Sequence, residues 1–234
     1  MSYDNIVKLI AGHSNTKKSE IYKRFFKTSE GDYGHGDIFL GLTVPQSRII
    51  AKKFHDLSFV DLKRLLNSKI HEHRLVAIII LVERFNKNPG VVYDFYLDNI
   101  DYVNNWDLVD LSADKIVGKY LFDKSDRSIL YRLVKSNNLW HRRISIVSTF
   151  YFIKNNVFDD TLKISELLLN DKHDLIHKSV GWMLREVGKR SLDDLEEFLD
   201  KYSKIMPRTM LRYSIEKFPE EKRLFYLNMR KETF

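Results

Sequence analysis

The chain has three tryptophans, and each lies one helical turn before a charged residue. Residues three or four positions apart share one face of a helix. The pairs are Trp106 with Asp110, Trp140 with Arg143, and Trp182 with Arg185. An indole beside a charge suits an exposed concave surface, although core packing is the alternative for each tryptophan taken alone.

Asp110 is the most informative carboxylate. The segment YVNNWDLVDLSADKIVG (102–118) carries three aspartates, and only Asp110 has an indole one turn behind it. Asp107 directly follows Trp106, which favours a place in the first turn of a helix, where a negative charge complements the helix dipole. A salt bridge to a neighbouring helix is the alternative role for Asp110.

One carboxylate among aromatic rings and cations limits the chemistry. Ordinary glycoside hydrolysis uses two carboxyl groups, because the leaving oxygen must be protonated. A nucleobase made cationic by alkylation leaves as a neutral molecule, so that only the oxocarbenium-like sugar must be stabilised and a water positioned. One carboxylate with aromatic faces suffices for this reaction, and Arg and Lys side chains would hold the phosphates.

Other chemistries lack their residues. The chain has no cysteine, which excludes a catalytic thiol and Cys-ligated metals. The histidines of HEH (71–73) are two positions apart and point to nearly opposite sides of a helix, so we expect them to be exposed or capping, with no metal site. The glycine-rich segment 29–42 lacks the lysine of a phosphate-binding loop and is predicted to lead into a helix at Pro45. We expect no cofactor.

The elements that position these residues are helical repeats. Apolar residues recur at spacings of three and four, and small residues in apolar surroundings recur about every 34 positions, as expected for stacked helix pairs. These small residues are Ala77, Ala113, Ser145, Gly181 and Ser214, and a basic residue stands three positions before three of them: Arg74, Arg142 and Lys178. The sequence predicts an all-α solenoid, with a generic helix bundle as the alternative.

Basic charge is concentrated in two regions. The net charge is +7, and residues 1–70 carry 12 Lys and Arg against 7 Asp and Glu, while residues 135–190 carry 10 against 6. Two basic regions on either side of an acidic one suit a polyanionic partner. Arg48, Lys52 and Lys53 are candidate phosphate contacts, with a solvated surface as the alternative. With no apolar run long enough to span a membrane and no signal-peptide pattern, we expect a soluble cytoplasmic protein.

Five segments resemble, in the same order, the AlkD-like DNA alkylation repair family. NNWDLVD and GWMLRE are the most specific matches. The segments are FLGLTVPQSRIIAKKF (39–54), VNNWDLVDLSADKIVGKYL (103–121), LWHRRISIVSTFYFIK (139–154), HKSVGWMLREVGKR (177–190) and MPRTMLRYSIEKFPEEKR (206–223).

The resemblance implies one domain over residues 1–234, a right-handed superhelical solenoid of HEAT-like helix pairs. It implies a DNA glycosylase that excises cationic N3- and N7-alkylated purines from duplex DNA without extruding the base. Asp110 would be the catalytic carboxylate, Trp106 and Trp182 would contact the deoxyribose, and Arg143 would bind a phosphate. We expect a monomer that acts on alkylated duplex DNA and not at a membrane.

Two other functions stay open. Some relatives lack the aspartate and bind DNA without excising bases, so the first alternative is a non-catalytic module that binds damaged or branched DNA. The second is a protein–protein adaptor, which helical solenoids commonly are. The presence of Asp110 favours an enzyme, and the basic regions disfavour an adaptor.

Overall fold

The computed structural model describes residues 1–229 and groups the chain into two compact units. The first is Met1–Ser112, and the second begins at Ala113. Within the described residues, regular structure is helical apart from a single parallel bridge between Ile38 and Ile70. In that same part of the chain, no helix is both long and apolar enough to cross a membrane.

The first unit is built around one buried helix. Its helices are α1 (Tyr3–Gly12), α2 (Thr16–Phe25), α3 (Val44–Lys53), α4 (Phe59–Leu66), α5 (His71–Arg84), α6 (Pro89–Asp98) and α7 (Trp106–Ser112), with a 3₁₀ turn at Ile100–Tyr102. Helix α5 packs against α3, α4, α6 and α7, and every residue from His71 to Leu81 is buried. It is therefore the core helix against which α7 is placed.

The glycine-rich segment forms the loop between α2 and α3, as predicted. Thr43 caps α3 in a capping box with Gln46, and Pro45 lies in its first turn. Gly41 has a φ of 88°, and a Cβ there would meet the Asn15 carbonyl oxygen at 2.2 Å. Only glycine fits this close approach of the loop to α2.

A buried carboxylate fixes the end of this loop. Glu72, in the first turn of α5, accepts hydrogen bonds from the backbone N–H groups of Leu40, Gly41 and Leu42 at 2.7–3.2 Å. Three donors compensate the cost of burying the charge, since an unpaired buried carboxylate would be strongly destabilising. The loop is thereby attached to the core helix.

The second unit is built around α13. It begins with a π-helical segment (Asp114–Gly118), followed by α8 (Lys119–Leu121), α9 (Ser128–Leu133), α10 (Leu139–Ser148), α11 (Phe150–Lys154), α12 (Asp159–Leu167), α13 (Asp174–Gly188), α14 (Leu192–Tyr202), α15 (Arg208–Ser214) and α16 (Glu220–Asn228). Helix α13 contacts α10, α11, α12, α14 and α15. A Cβ on Gly181 would lie 2.5 Å from the Tyr213 Cβ, so this glycine permits the close contact of α13 with α15.

The small residues that recur about every 34 positions are buried where helices pack closely, as their recurrence predicts. Ala77, Ala113 and Ser145 are fully buried, and the Ser145 hydroxyl donates to the Leu130 carbonyl at 2.8 Å. The prediction of an all-α fold of helical repeats is confirmed. The single domain over 1–234 stays a prediction, and its residues 230–234 lie outside the described chain.

Candidate active site

Trp106 and Asp110 lie on α7, one helical turn apart. The helix begins at Trp106, whose backbone N–H is bound by the Asn105 side chain at 2.8 Å. Both Trp106 and Asp110 are half-buried. The short helix therefore presents an indole and a carboxylate on one face, as their spacing predicts.

The indole of Trp106 is covered by phenylalanines of α2 and its end. Phe26 stacks on it with ring centroids 5.2 Å apart and planes inclined by 12°. Phe25 meets it edge-on at 5.6 Å and is itself 61% exposed. One face of the indole is thus occupied by protein.

A cavity of about 280 Å³ lies beside Trp106 within the first unit. Aromatic side chains form much of its wall, and Asp107 and Glu72 add carboxylates. The aromatic members are Tyr22, Phe25, Phe26, Phe39, His71 and Trp106.

His71 and Arg74 are the cations of a buried charge network at this wall. The Nε2 of His71 lies 2.7 Å from the Asp107 carboxylate, and Asp37 is shared between His71 Nδ1 at 3.5 Å and Arg74 at 2.6 Å. Burial alone lowers the pKa of an imidazole, but the Asp107 and Asp37 carboxylates outweigh it and raise the pKa of His71 to about 9. His71 is therefore an imidazolium at neutral pH, and it orients the Asp107 side chain.

The expectation that the HEH histidines are exposed or capping is wrong. His71 and His73 are each only 2% exposed. His73 Nδ1 lies 3.0 Å from the Ser68 hydroxyl, and burial followed by the Arg74 charge lowers the pKa of His73 to about 4. Within residues 1–229, no group of three His, Cys, Asp or Glu side chains is arranged to hold a metal ion.

Two of the three repeated basic residues make the same contact, whereas Lys178 pairs with Asp174 on its own helix at 2.6 Å. Arg74 donates to the Ser68 carbonyl at 2.7 Å, and Arg142 donates to the Ser136 carbonyl at 2.9 Å. In both repeats, a guanidinium in the first turn of the helix, α5 or α10, donates to the backbone of the preceding loop, six positions earlier. Asp110 stands at the equivalent position, three residues before the small residue of its own repeat. A carboxylate has no proton to donate, so it cannot make this scaffold contact.

Known proteins share both the sequence pattern and the fold. The model of a family described as DNA alkylation repair enzyme matches residues 6–218. The chain belongs to the DNA alkylation repair enzyme family. Curated proteins gave no significant match.

Two solved structures have similar backbones. A predicted DNA alkylation repair enzyme from Enterococcus faecalis is 16% identical with a TM-score of 0.69, over 88% of this chain and 97% of that one. The smu.31 protein from Streptococcus mutans UA159 is 18% identical with a TM-score of 0.53, over 93% and 99% of the two chains. At these identities the likeness concerns the fold alone.

In this family member, the candidate residues Trp182 and Arg143 belong to the second unit. Trp182 lies on α13, is half-buried, and contacts the Phe150 ring with centroids 5.5 Å apart. Arg143, on α10, is 5% exposed and donates to the Leu175 carbonyl of α13 at 2.5 Å. Its proposed phosphate contact stays a prediction, and the arginine also joins two helices.

The neighbouring tryptophan and arginine have structural roles. Trp140 is buried, which is the core-packing alternative for this tryptophan. The Arg142 guanidinium binds Asp171 at 2.6 Å in addition to the loop carbonyls. Arg185 forms an ion pair with Glu216, which gives it a structural role.

Three candidate phosphate-binding cations lie on the surface of the first unit. Arg48, Lys52 and Lys53 are all exposed on α3, and the two lysines are in its last turn. Among the described residues, none of the three forms an ion pair with a carboxylate. They are accessible to a polyanion, and their contact with DNA stays a prediction.

Sequence reasoning missed the aromatic cavity and the buried network. Phe25 and Phe26 carry no periodic signal that distinguishes an exposed ring at a cavity mouth from a core ring. The sequence predicts that Asp107 lies in the first turn of a helix, and it does. Its hydrogen bond with His71 joins residues 36 positions apart, and no local pattern indicates it.

Proposed function

We propose that this chain is a monofunctional DNA glycosylase, which hydrolyses the N-glycosidic bond of cationic N3- and N7-alkylated purines in duplex DNA. Membership of the DNA alkylation repair enzyme family supports alkylated DNA as the substrate. The observation that carries the catalytic assignment is the placement of Asp110. It replaces a scaffold guanidinium by a carboxylate, one turn after a half-buried indole.

The proposed reaction needs no proton donor for the leaving group. The bond between C1′ and the purine nitrogen breaks, its electron pair neutralises the cationic base, and the sugar gains oxocarbenium character. The Asp110 carboxylate stabilises this positive charge, and the π faces of Trp106 and Trp182 add to the stabilisation. A water then bonds to C1′ and releases a proton. Alkylation thus supplies the leaving-group activation, and the chain supplies one negative charge.

The basic residues would hold the duplex. Arg143 is the proposed phosphate contact near the lesion, and Arg48, Lys52 and Lys53 offer three exposed charges on α3. Each phosphate contact releases counterions, so binding should weaken as salt rises. The expectation that the intact nucleotide is not extruded from the helix forms part of this proposal.

The decisive variant is Asp110→Asn. The amide keeps the size of the side chain and removes its charge, so duplex binding should persist while excision slows by about 10²–10³. The measurement is release of free base from duplexes that contain 7-methylguanine or 3-methyladenine, under single-turnover conditions. Asp94→Asn, an exposed carboxylate on α6, is the matched control and should excise at the wild-type rate.

Two results would contradict the proposal. Undiminished excision by Asp110→Asn would remove this residue from the mechanism. A wild-type chain that binds alkylated duplexes but releases no base would instead support the non-catalytic DNA-binding module.

A further inference from the structure

We propose that Lys154 is a positioning residue for the reaction: bound to the buried Asp114 carboxylate, it holds the Phe150 ring against the indole of Trp182. This inference rests on the proposed function, in which Trp182 contacts the deoxyribose, and it adds the residues that keep that indole in place. All four side chains belong to the second unit.

Asp114 is a fixed anchor for the lysine. It begins the π-helical segment and is 2% exposed. The Lys154 Nζ lies 2.7 Å from its Oδ2, and the Lys115 Nζ lies 3.8 Å from its Oδ1. A Cβ on Gly118, at the end of the same segment, would overlap the Ser148 carbonyl oxygen, so the segment packs closely against the end of α10. The carboxylate is buried and therefore needs a cationic partner, and Lys154 is the nearer of the two.

The ammonium of Lys154 also lies on the Phe150 ring. Its Nζ is 4.0 Å from the ring centroid, and the two residues are one turn apart on α11. Cation–π attraction favours this contact. A lysine side chain that is 39% exposed would move among many rotamers if it were free, and its bond to Asp114 selects the one that covers the ring. The pair of Asp114 and Lys154 thereby fixes one face of Phe150.

Phe150 carries this constraint to Trp182. The two ring centroids are 5.5 Å apart with planes inclined by 54°, and both residues are half-buried. The backbone at Trp182 is held in place, because the preceding Gly181 lies in the close contact of α13 with α15. The indole can still turn about its side-chain torsions, and the Phe150 ring limits that rotation.

The orientation of the indole matters for the reaction and not for holding the duplex. An aromatic ring has a negative face and a positive edge, so it stabilises the charge on the sugar only when it presents its face. A rotated Trp182 would lose this contribution, while the contacts of the chain with phosphates stay intact. Loss of Lys154 should therefore slow excision without weakening duplex binding.

The first measurement concerns the indole itself. Because the chain has three tryptophans, its proton–nitrogen correlation spectrum has three indole N–H signals, and Trp182→Leu identifies the one that belongs to Trp182. In Lys154→Met this signal should shift or broaden, while the Trp140 signal keeps its position. Lys154→Arg keeps the cation and should leave the Trp182 signal in place. Lys163→Met, which removes an exposed lysine of α12, is the matched control and should also leave it in place.

The second measurement is single-turnover excision from methylated duplexes, together with duplex affinity. Lys154→Met should slow excision about two- to tenfold, within the range expected for loss of one π contact, with affinity and salt dependence unchanged. This variant leaves the Asp114 carboxylate with a weaker partner. Lys154→Met combined with Asp114→Asn removes both charges, and should show the same signal change and the same rate loss. Lys154→Arg and Lys163→Met should excise at the wild-type rate.

Each outcome decides the question. An unchanged Trp182 signal, or a wild-type excision rate in the folded double variant, would overturn the inference. A loss of affinity with a smaller salt slope would make Lys154 a phosphate contact and would overturn it as well. A wild-type chain that excises no base refutes the proposed function alone, and the Trp182 signal then still shows whether Lys154 positions the indole.

Discussion

Raising the pH from 6.5 to 9 is expected to destabilise the folded chain through one side chain, His71. Burial alone lowers its pKa, but the Asp107 and Asp37 carboxylates raise it from 6.5 to about 9. Because the folded chain binds this proton more tightly than the unfolded chain, the stabilisation is complete below pH 6.5 and is lost as the pH rises through 9. The difference corresponds to about 3 kcal/mol, at roughly 1.36 kcal/mol for each pKa unit.

The assay is urea unfolding of the wild type and of His71→Gln, at half-unit steps between pH 6 and 9.5. Glutamine keeps a hydrogen-bond donor toward Asp107 and does not titrate. The free energy of unfolding of His71→Gln should therefore be lower than that of the wild type at pH 6 and nearly constant up to pH 9. The wild type should lose about 3 kcal/mol over the same range.

His73 supplies the matched control, because it is equally buried on the same helix and titrates in the opposite sense. Its pKa falls to about 4, through burial and the Arg74 charge, so it destabilises the fold as the pH drops from 6.5 toward 4. His73→Gln should keep the alkaline loss and, in urea titrations extended down to pH 4, reduce the acid loss. The reasoning is refuted if the wild type and His71→Gln show the same dependence between pH 6.5 and 9.

Three further predictions concern DNA. Arg143→Ala should weaken binding to duplexes of any sequence and reduce the log–log salt slope by about one phosphate, whereas Arg142→Ala should leave affinity unchanged. Because each guanidinium holds a backbone carbonyl, both variants should lose about 1–3 kcal/mol of unfolding free energy in urea titrations, and affinity is compared where both are folded. Filter binding that shows a loss for Arg142→Ala and none for Arg143→Ala would reverse the assignment. Trp106→Leu and Trp182→Leu should each slow single-turnover excision by the equivalent of roughly 0.5–2 kcal/mol, less than Asp110→Asn does, and a larger loss would give the indoles a role beyond π contact. Matched duplexes with 7-methylguanine and uracil should release only the cationic base, and comparable uracil release would contradict a mechanism that depends on substrate charge.

The helical repeats were predictable because their signals are local. Apolar spacing, the proline at position 45 and the small residues every 34 positions or so depend on neighbours within one or two turns. Gly181 illustrates this: a small residue on an apolar helix face predicts close helix contact, and the contact with Tyr213 is the one observed. Such patterns identify the helices and their buried faces without knowledge of the helix that packs against them.

The buried network was not predictable because its partners are far apart in the chain. HEH (71–73) has the composition of a solvated or capping segment, and its neighbours are not visible in the sequence. In the fold, Glu72 binds the loop that ends at Leu42, and His71 binds Asp107. The groups that stabilise the charges of Glu72 and His71 lie some 30 or more positions away, so local reasoning does not show that these two residues are buried.

Asp110 lies between these two cases. Three positions before the small residue, the sequence has a basic residue in three repeats, a leucine in the last repeat and an aspartate in this one. The aspartate cannot be interpreted until the basic residue has a known role. The contacts of Arg74 and Arg142 with preceding carbonyls supply it: in these two repeats, the position carries a donor that binds the helix to the loop before it. A carboxylate gives up that contact and places a negative charge beside an indole. This exchange suits the proposed role of Asp110, in which its carboxylate stabilises the positive charge that develops on the sugar.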